Sequence, residues 1–494
     1  MQHTLLTVAL PRTSVALSAF VGGGTVSPLD SRDKSRGIAP VLSRRRLLQA
    51  IATASGVAAV GGLLSACSST TPAAAPAATS PGATPASAAQ AGPGGFSNVG
   101  TLKLLMSSHF VPAYDTWFDA WAKDWGDKNH IEMQVDHILS AQLAAKNAAE
   151  VAAQSGHDLY KLTRNGEGPL YHDVMVDVGD LTKQVGEAHG GWIPFAESIG
   201  LYQGEWHAVP EYFIDFPALY RKDVFDANGL QPVDTWDDLL KTGEVLKRIG
   251  NPIGIAINQQ SNDANNTWTG VLWSHGGSVV AQDGKTVALN SDATRQTVSY
   301  AVELYNKAMT NEVLSWDDQG NNLYLSSGKS AWIQNPISAL RTIEHDAPDL
   351  AAKIYVSNTP AGPKGRMTSV GANSWAIAKW AVSVPAAKAL LLDYYAILPE
   401  GIKASQGYNQ PVLNDLRKKP MPILGEEPKL TVLQDFDQYI RAVGYPGPAT
   451  AAAGEVESNW IIPLMIARAV NDGDVNGAVE WATQKVEAIY SKYP

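Results

Sequence analysis

Residues 101–162 read TLKLLMSSHFVPAYDTWFDAWAKDWGDKNHIEMQVDHILSAQLAAKNAAEVAAQSGHDLYKL. Thr101–Met106 is largely apolar and is followed by Ser107-Ser108, which predicts a first strand. Trp117, Trp121 and Trp125 recur at i, i+4 and i+8, so 117–128 is predicted as an amphipathic helix with the tryptophans on one face. Ile131–Val135 alternates as a strand, 142–154 is an Ala-rich helix, and Asp158–Leu162 is another strand. Strands alternating with helices predict an α/β fold with parallel sheets. In such sheets ligands gather beyond the carboxyl ends of the strands. Ser107-Ser108-His109 and Thr163-Arg164-Asn165 occupy those positions.

The chain has 494 residues, of which 45% are hydrophobic and 17% charged, a globular composition. No repeat at solenoid spacing is present. Residues 43–67, SRRRLLQAIATASGVAAVGGLLSAC, place a basic cluster, a weakly apolar stretch and small residues before the single cysteine. Those are the zones of an export signal. Ser43-Arg44-Arg45 with Leu47-Leu48 resembles a twin-arginine signal. Leu64-Ser65-Ala66-Cys67 resembles a bacterial lipobox, which implies that Cys67 is lipidated and anchors the protein to a membrane. Residues 1–66 are therefore read as leader. Residues 67–97 are read as a disordered tether: beyond Cys67 they are nearly all Ser, Thr, Pro, Ala and Gly, with no charge. A tether of that length has an r.m.s. span of about 30 Å.

Seven of the 38 basic residues and two of the 48 acidic ones precede Cys67, so the body is acidic, with 31 basic groups against 46. That balance argues against a nucleic-acid partner. One cysteine excludes an internal disulfide and any multi-cysteine metal or cluster site. There is no His-Glu-x-x-His, Gly-x-Ser-x-Gly elbow, Walker loop or GxGxxG. No enzyme activity, metal or cofactor is expected; an anchored glycoside hydrolase is the alternative.

Four blocks in the body carry a family resemblance. Residues 207–257 contain Pro210, then Ala218-Leu219-Tyr220-Arg221-Lys222-Asp223, Asn228-Gly229-Leu230, Pro232 and Thr235-Trp236-Asp237-Asp238-Leu239. Thr235 is a predicted N-cap, and the two aspartates suit the positive end of a helix through Lys247. Leu323–Ala339, Asn358–Tyr395 and Glu457–Val486 follow in order. Together they resemble the family 1 extracellular solute-binding proteins of ATP-binding cassette importers, which include maltose-binding proteins. The resemblance implies a two-lobed, periplasmic-binding-protein-like α/β fold over residues 98–494, with a hinge and an interlobe ligand cleft. Lobe one would hold about 98–213 and 358–404, and lobe two about 218–354 and 406–494. It further implies a monomeric receptor on the outer face of the cell membrane. That receptor would hand a small polar solute, a sugar or related polyol, to the permease subunits.

A sugar needs aromatic plates and planar polar groups, and 14 Trp and 17 Tyr against 9 Phe fit that need. Candidate ligand residues at the family's cleft positions are Tyr212 and Phe213, with core packing as the other possibility. Asp215 would take a pair of hydroxyls or form a hinge salt bridge. Trp268, in the polar stretch 262–268 read as a loop, would be a stacking plate. Trp316, Asp317 and Asp318 would form the pocket rim or an N-cap. Gln334 and Asn335 sit at a strand tip, Asn373 and Trp375 on a strand, and Trp460 before a helix. His109 and Arg164 sit at strand ends. An arginine in the cleft would suit a phosphate or carboxylate on the ligand.

Overall fold

The computed structural model describes residues 95–96, 99–258 and 261–493. Arg44, Arg45 and Cys67 lie outside the described residues, as do the leader and nearly all of the tether.

Eleven strands form three sheets among the described residues: β1 (Thr101–Ser107), β2 (Glu132–Ile138), β3 (Leu159–Leu162), β4 (Leu201–Tyr202), β5 (Glu205–Trp206), β6 (Val209–Ile214), β7 (Ala218–Arg221), β8 (Trp332–Gln334), β9 (Ile354–Ser357), β10 (Gly371–Ile377) and β11 (Gln410–Pro411). The first lobe is built on a six-stranded sheet in the order β11-β6-β10-β3-β1-β2. β1 pairs with β2 and β3 in parallel, as the alternating pattern predicts. β10 runs antiparallel between β3 and β6, and β11 antiparallel to β6. The second lobe carries the sheet β8-β7-β9, and both of its pairings are antiparallel. The expectation of parallel sheets thus holds only for the βαβαβ start. β7 and β10 enter their sheets from the other lobe, so no crossover helix sets their direction.

The predicted first elements form with small shifts. The helix spans Pro112–Asn129, with Pro112 at its first turn, and ends at His130 in the left-handed region (φ 57°). Its buried stripe runs Tyr114, Phe118, Ala122 and Trp125, while Trp117 and Trp121 flank that stripe half-buried. Thr235 Oγ1 accepts from Asp238 N at 3.1 Å and caps helix Trp236–Arg248, which carries Asp237 and Asp238 in its first turn.

Each lobe has its own apolar core. In lobe one, Leu102, Leu104, Phe118, Trp375, Leu390 and Tyr394 pack between the sheet and helices Pro112–Asn129 and Val384–Ala396. In lobe two, Trp236, Trp268, Leu304, Trp332, Met465 and Val486 pack among helices. A third cluster, including Phe213, Leu219, Ile333, Leu340, Val412 and Phe436, joins the lobes behind the hinge.

The chain crosses between lobes three times, and two boundaries differ from the sequence reading. Residues 358–368 stay against lobe two: Thr235 bridges Ala361, and Lys364 N donates to Ser274 O at 2.8 Å. The chain therefore enters lobe one at β10, not at 358. β11 pairs with β6, and Asn414 N donates to Gly191 O at 2.9 Å, so lobe one continues beyond 406. Such late strand exchanges leave no compositional mark. No helix among the described residues is long and apolar enough to cross a membrane.

Candidate functional site

The carboxyl ends of β1 and β3 and the hinge strand β6 face the N-terminus of helix Asn262–Ser274 across the space between the lobes. A cavity of ≈ 50 Å³ lies there, lined from lobe one by Ser107, Ser108, His109, Thr163, Tyr212, Asn373 and Tyr408. Asn262, Asp263, Asn266, Asp318 and Pro336 line it from lobe two. It adjoins a mouth of ≈ 490 Å³ that shares Ser108, His109, Phe110, Ser140 and Asp318 and adds Asp317 and Gln319.

Tyr212 is 4% exposed, and the residues two and four further on, Ile214 and Phe216, also line the cavity. Strand alternation turns Phe213 the other way. It is fully buried, edge-on to Phe195 at 6.4 Å between ring centres. Behind Tyr212, Lys161 pairs with Glu211, and both are buried. The Lys161 ammonium stands 4.8 Å from the Tyr212 ring centre and 4.5 Å from that of Trp375. Glu211 also accepts from the hydroxyls of Tyr114 and Tyr394. Loss of solvent holds the Lys161 pKa below its usual value, against the pull of Glu211. This network stiffens the floor of the cavity.

His109 is held at both ring nitrogens. Val111 N and O each lie 3.0 Å from its Nδ1, and Asn409 Oδ1 lies 3.0 Å from its Nε2. The ring stacks on Tyr114 at 4.4 Å. Desolvation lowers its pKa to about 4, so it faces the cavity uncharged at neutral pH.

Ser261 caps helix Asn262–Ser274 by accepting from Ala264 N. Asp318 Oδ1 accepts from Ser261 Oγ at 2.9 Å and from Asp263 N at 3.2 Å. Asp263 Oδ2 accepts from Asn321 Nδ2 at 2.9 Å. Burial raises the pKa of both carboxyls, that of Asp263 furthest, with Asp318 adding like-charge repulsion. Asn373 is 2% exposed, and its Nδ2 has no partner.

Of the residues singled out in the sequence, His109, Tyr212 and Asn373 line the cavity and Asp317 lines its mouth. Arg164 and Trp460 meet across the lobes, with the guanidinium 4.2 Å above the indole. Arg164 Nε donates to Asn262 Oδ1 at 3.2 Å, so Arg164 buttresses the cavity wall instead of lining it. The others sit elsewhere. Trp268 is not in a loop: the polar stretch is the first turns of a helix, and Trp268 is fully buried with Nε1 donating to Ala256 O at 2.9 Å. Trp316 packs on Tyr324 at 5.0 Å in the core of lobe two. Trp375, two residues along β10 from Asn373, lies beneath helix Pro112–Asn129 and stacks on Phe118 at 5.7 Å. Gln334 braces the hinge, its Nε2 donating to Phe216 O at 3.1 Å and Thr359 Oγ1 at 2.7 Å. Asn335 folds back onto Pro336 O at 2.7 Å. Asp215 is fully buried, with neither oxygen hydrogen-bonded; burial pushes its pKa up to about 7, opposed by Arg417. It neither lines the cavity nor forms the expected hinge salt bridge.

The sequence reading missed Asp263, which lay within the polar stretch whose helical character was overlooked; Asp318, read together with Trp316 and Asp317, is the member of that run that lines the cavity. Tyr408 and Ser140 gave no signal.

The bacterial extracellular solute-binding protein family matches residues 111–395. A curated relative from Deinococcus radiodurans, a probable ABC transporter-binding protein, is 26% identical over 354 residues, covering 68% of this chain and 80% of the relative. Among solved structures, a sugar transporter of Arthrobacter chlorophenolicus with bound laminaribiose aligns with a TM-score of 0.71 at 16% identity, over 78% of this chain and 99% of that one. An ABC transporter solute-binding protein of Thermotoga lettingae bound to alpha-D-tagatose aligns at 0.68 and 18% identity, over 79% and 99%. The fold is that of the periplasmic binding proteins, and its family binds solutes and does not transform them. With both lobes, the hinge and the cleft in place, the chain belongs to the bacterial extracellular solute-binding protein family.

Proposed function

We propose that this protein is the lipid-anchored, extracytoplasmic binding component of an ATP-binding cassette importer and that it captures a small polyhydroxylated solute, a carbohydrate or polyol, by hinge closure. The observation that carries this reading is the cavity. Tyr212 and Tyr408 supply aromatic faces, and Ser107, Thr163, Asn266 and Asn373 supply polar groups able to donate and accept. Lining from both lobes gives closure its driving contacts, since a ligand shifts a two-state equilibrium only by differential affinity. The sugar-bound and transporter-associated relatives support the same assignment. Anchoring rests on Arg44-Arg45 and on Cys67, the single cysteine of the chain, at the end of the apolar run.

Calorimetric titration with a panel of saccharides and polyols tests the receptor role. Saturable one-to-one binding with the ligand recovered intact is expected; silence across the panel, or turnover, refutes it. Membrane fractionation of Cys67→Ser tests the anchor: wild type should sediment with membranes and the variant should be released. A variant that stays with membranes would contradict lipidation at Cys67.

A further inference from the structure

The charge lining the cleft is one-sided. Asp263 and Asp318 line the cavity, and Asp317 and Asp318 line its mouth, whereas no lysine or arginine lines either. The nearest cations stand behind the lining. Arg164 lies over Trp460 and donates from Nε to Asn262, with its Nη1 buried and unpartnered, and Lys161 is paired with Glu211 behind Tyr212. Burial holds His109 uncharged at neutral pH.

The two buried aspartates differ in their free capacity. Asp318 is occupied, accepting from Ser261 Oγ and Asp263 N and, at 3.4 Å, from Ser140 Oγ and Asn262 Nδ2. Asp263, 7% exposed, accepts one bond, from Asn321. A carboxylate offers about four acceptor sites, so Asp263 keeps most of its capacity for a ligand. A second, independent feature points the same way: Asn373 Nδ2 is a buried donor without a partner in the same lining. It suits a hydroxyl or ring oxygen.

We propose, building on the receptor reading above, that the ligand is an amine-bearing saccharide whose ammonium is held by Asp263, with Asn373 donating to one of its oxygens. A cation there compensates two carboxyls that otherwise face each other in a low-dielectric pocket. Burial and the neighbouring Asp318 raise the Asp263 pKa in the empty pocket, and an ammonium beside the carboxylate opposes that shift. The same lining repels carboxylated and phosphorylated sugars, which have no cation to meet.

The test is a titration of the full-length protein at neutral pH with glucosamine, glucose and glucuronate, and with the β-1,4 dimers of glucosamine and glucose. Amine-bearing members should bind at least tenfold more tightly than their neutral counterparts, and glucuronate should not bind. Asp263→Asn should reduce that preference to less than threefold. Its fold is checked by circular dichroism, and raised salt, which should erode the preference in the wild type, gives a readout that needs no variant. Neutral sugars binding as tightly as the amines would overturn this proposal and leave the receptor reading intact. Preferential binding of glucuronate would also overturn it. Binding of none of them, nor of any neutral polyol, would overturn both.

Discussion

Alanine at position 454 should weaken ligand binding without touching the ligand. Gly454 lies in helix Ala451–Ser458 of lobe two, and Gly166 lies in the turn after β3 of lobe one. A Cβ at 454 would overlap the carbonyl oxygen of Gly166, and one at 166 would overlap the Gly454 backbone. The two backbones are tied at this distance. Gly166 N–H donates to Glu457 Oε2 at 3.0 Å, and Val443 N–H to Asn165 Oδ1 at 2.8 Å. Overpacking of this kind costs about 1–3 kcal/mol. The cost falls only on the arrangement in which the lobes touch, so it raises the closed state alone. At 1.4 kcal/mol per tenfold, the apparent Kd should rise by roughly 5- to 150-fold. Folding should not suffer, because alanine favours the helix by about 1 kcal/mol over glycine. Calorimetry gives the affinity, and small-angle scattering with and without ligand gives the compaction. An unchanged Kd with full compaction would refute the closure argument. So would a lowered thermal midpoint of the unliganded variant, which would make the contact a fixed part of the fold.

Asp215 sets a pH dependence. Its folded pKa, raised to about 7, lies above the unfolded value near 3.8, so the native state binds the extra proton in between. Stability from this group is full below about pH 4 and is lost as pH rises through 7. Thermal midpoints of Asp215→Asn should therefore exceed the wild type at pH 8 and converge with it near pH 4; parallel curves would contradict the assignment. Trp268→Ala should cost about 3–5 kcal/mol of stability by opening a core cavity. Denaturant melts measure the loss, while binding by the folded fraction stays unchanged. Tyr212→Ala should lower affinity about tenfold or more, by analogy with buried aromatic contacts, and titration gives the value. Lys161→Met should cost about 3–5 kcal/mol by leaving Glu211 unpaired, and Lys161→Met with Glu211→Leu should recover much of it.

The α/β start, the capped helix after Thr235 and the strand-end position of His109 were legible because they rest on local rules: periodicity, capping and strand-end geometry; Tyr212 was reached only through the family resemblance. The antiparallel entries of β10 and β11 were not, because their partners lie far away in sequence. Aromatic candidates failed for a shared reason. Trp268, Trp316 and Trp375 look alike in sequence whether they stack on a ligand or fill a core, and the large rings went to the cores. The cavity was left to tyrosines, amides and aspartates. Asp263 hid in a polar stretch that reads as a loop until Ser261 is seen to cap it as a helix. Arg164, the residue that sequence left most able to change the ligand class, packs on Trp460 and donates to Asn262 behind the lining.

The central claim is that the interlobe cavity captures a polyhydroxylated solute and releases it unchanged. The most direct measurement is calorimetric titration of the purified protein with the saccharide and polyol panel, followed by recovery and mass analysis of the bound compound. One-to-one binding that Tyr212→Ala weakens and Trp268→Ala leaves intact, with the ligand recovered unaltered, is the expected result. Binding insensitive to Tyr212, no binding by any member of the panel, or a chemically altered product would contradict it.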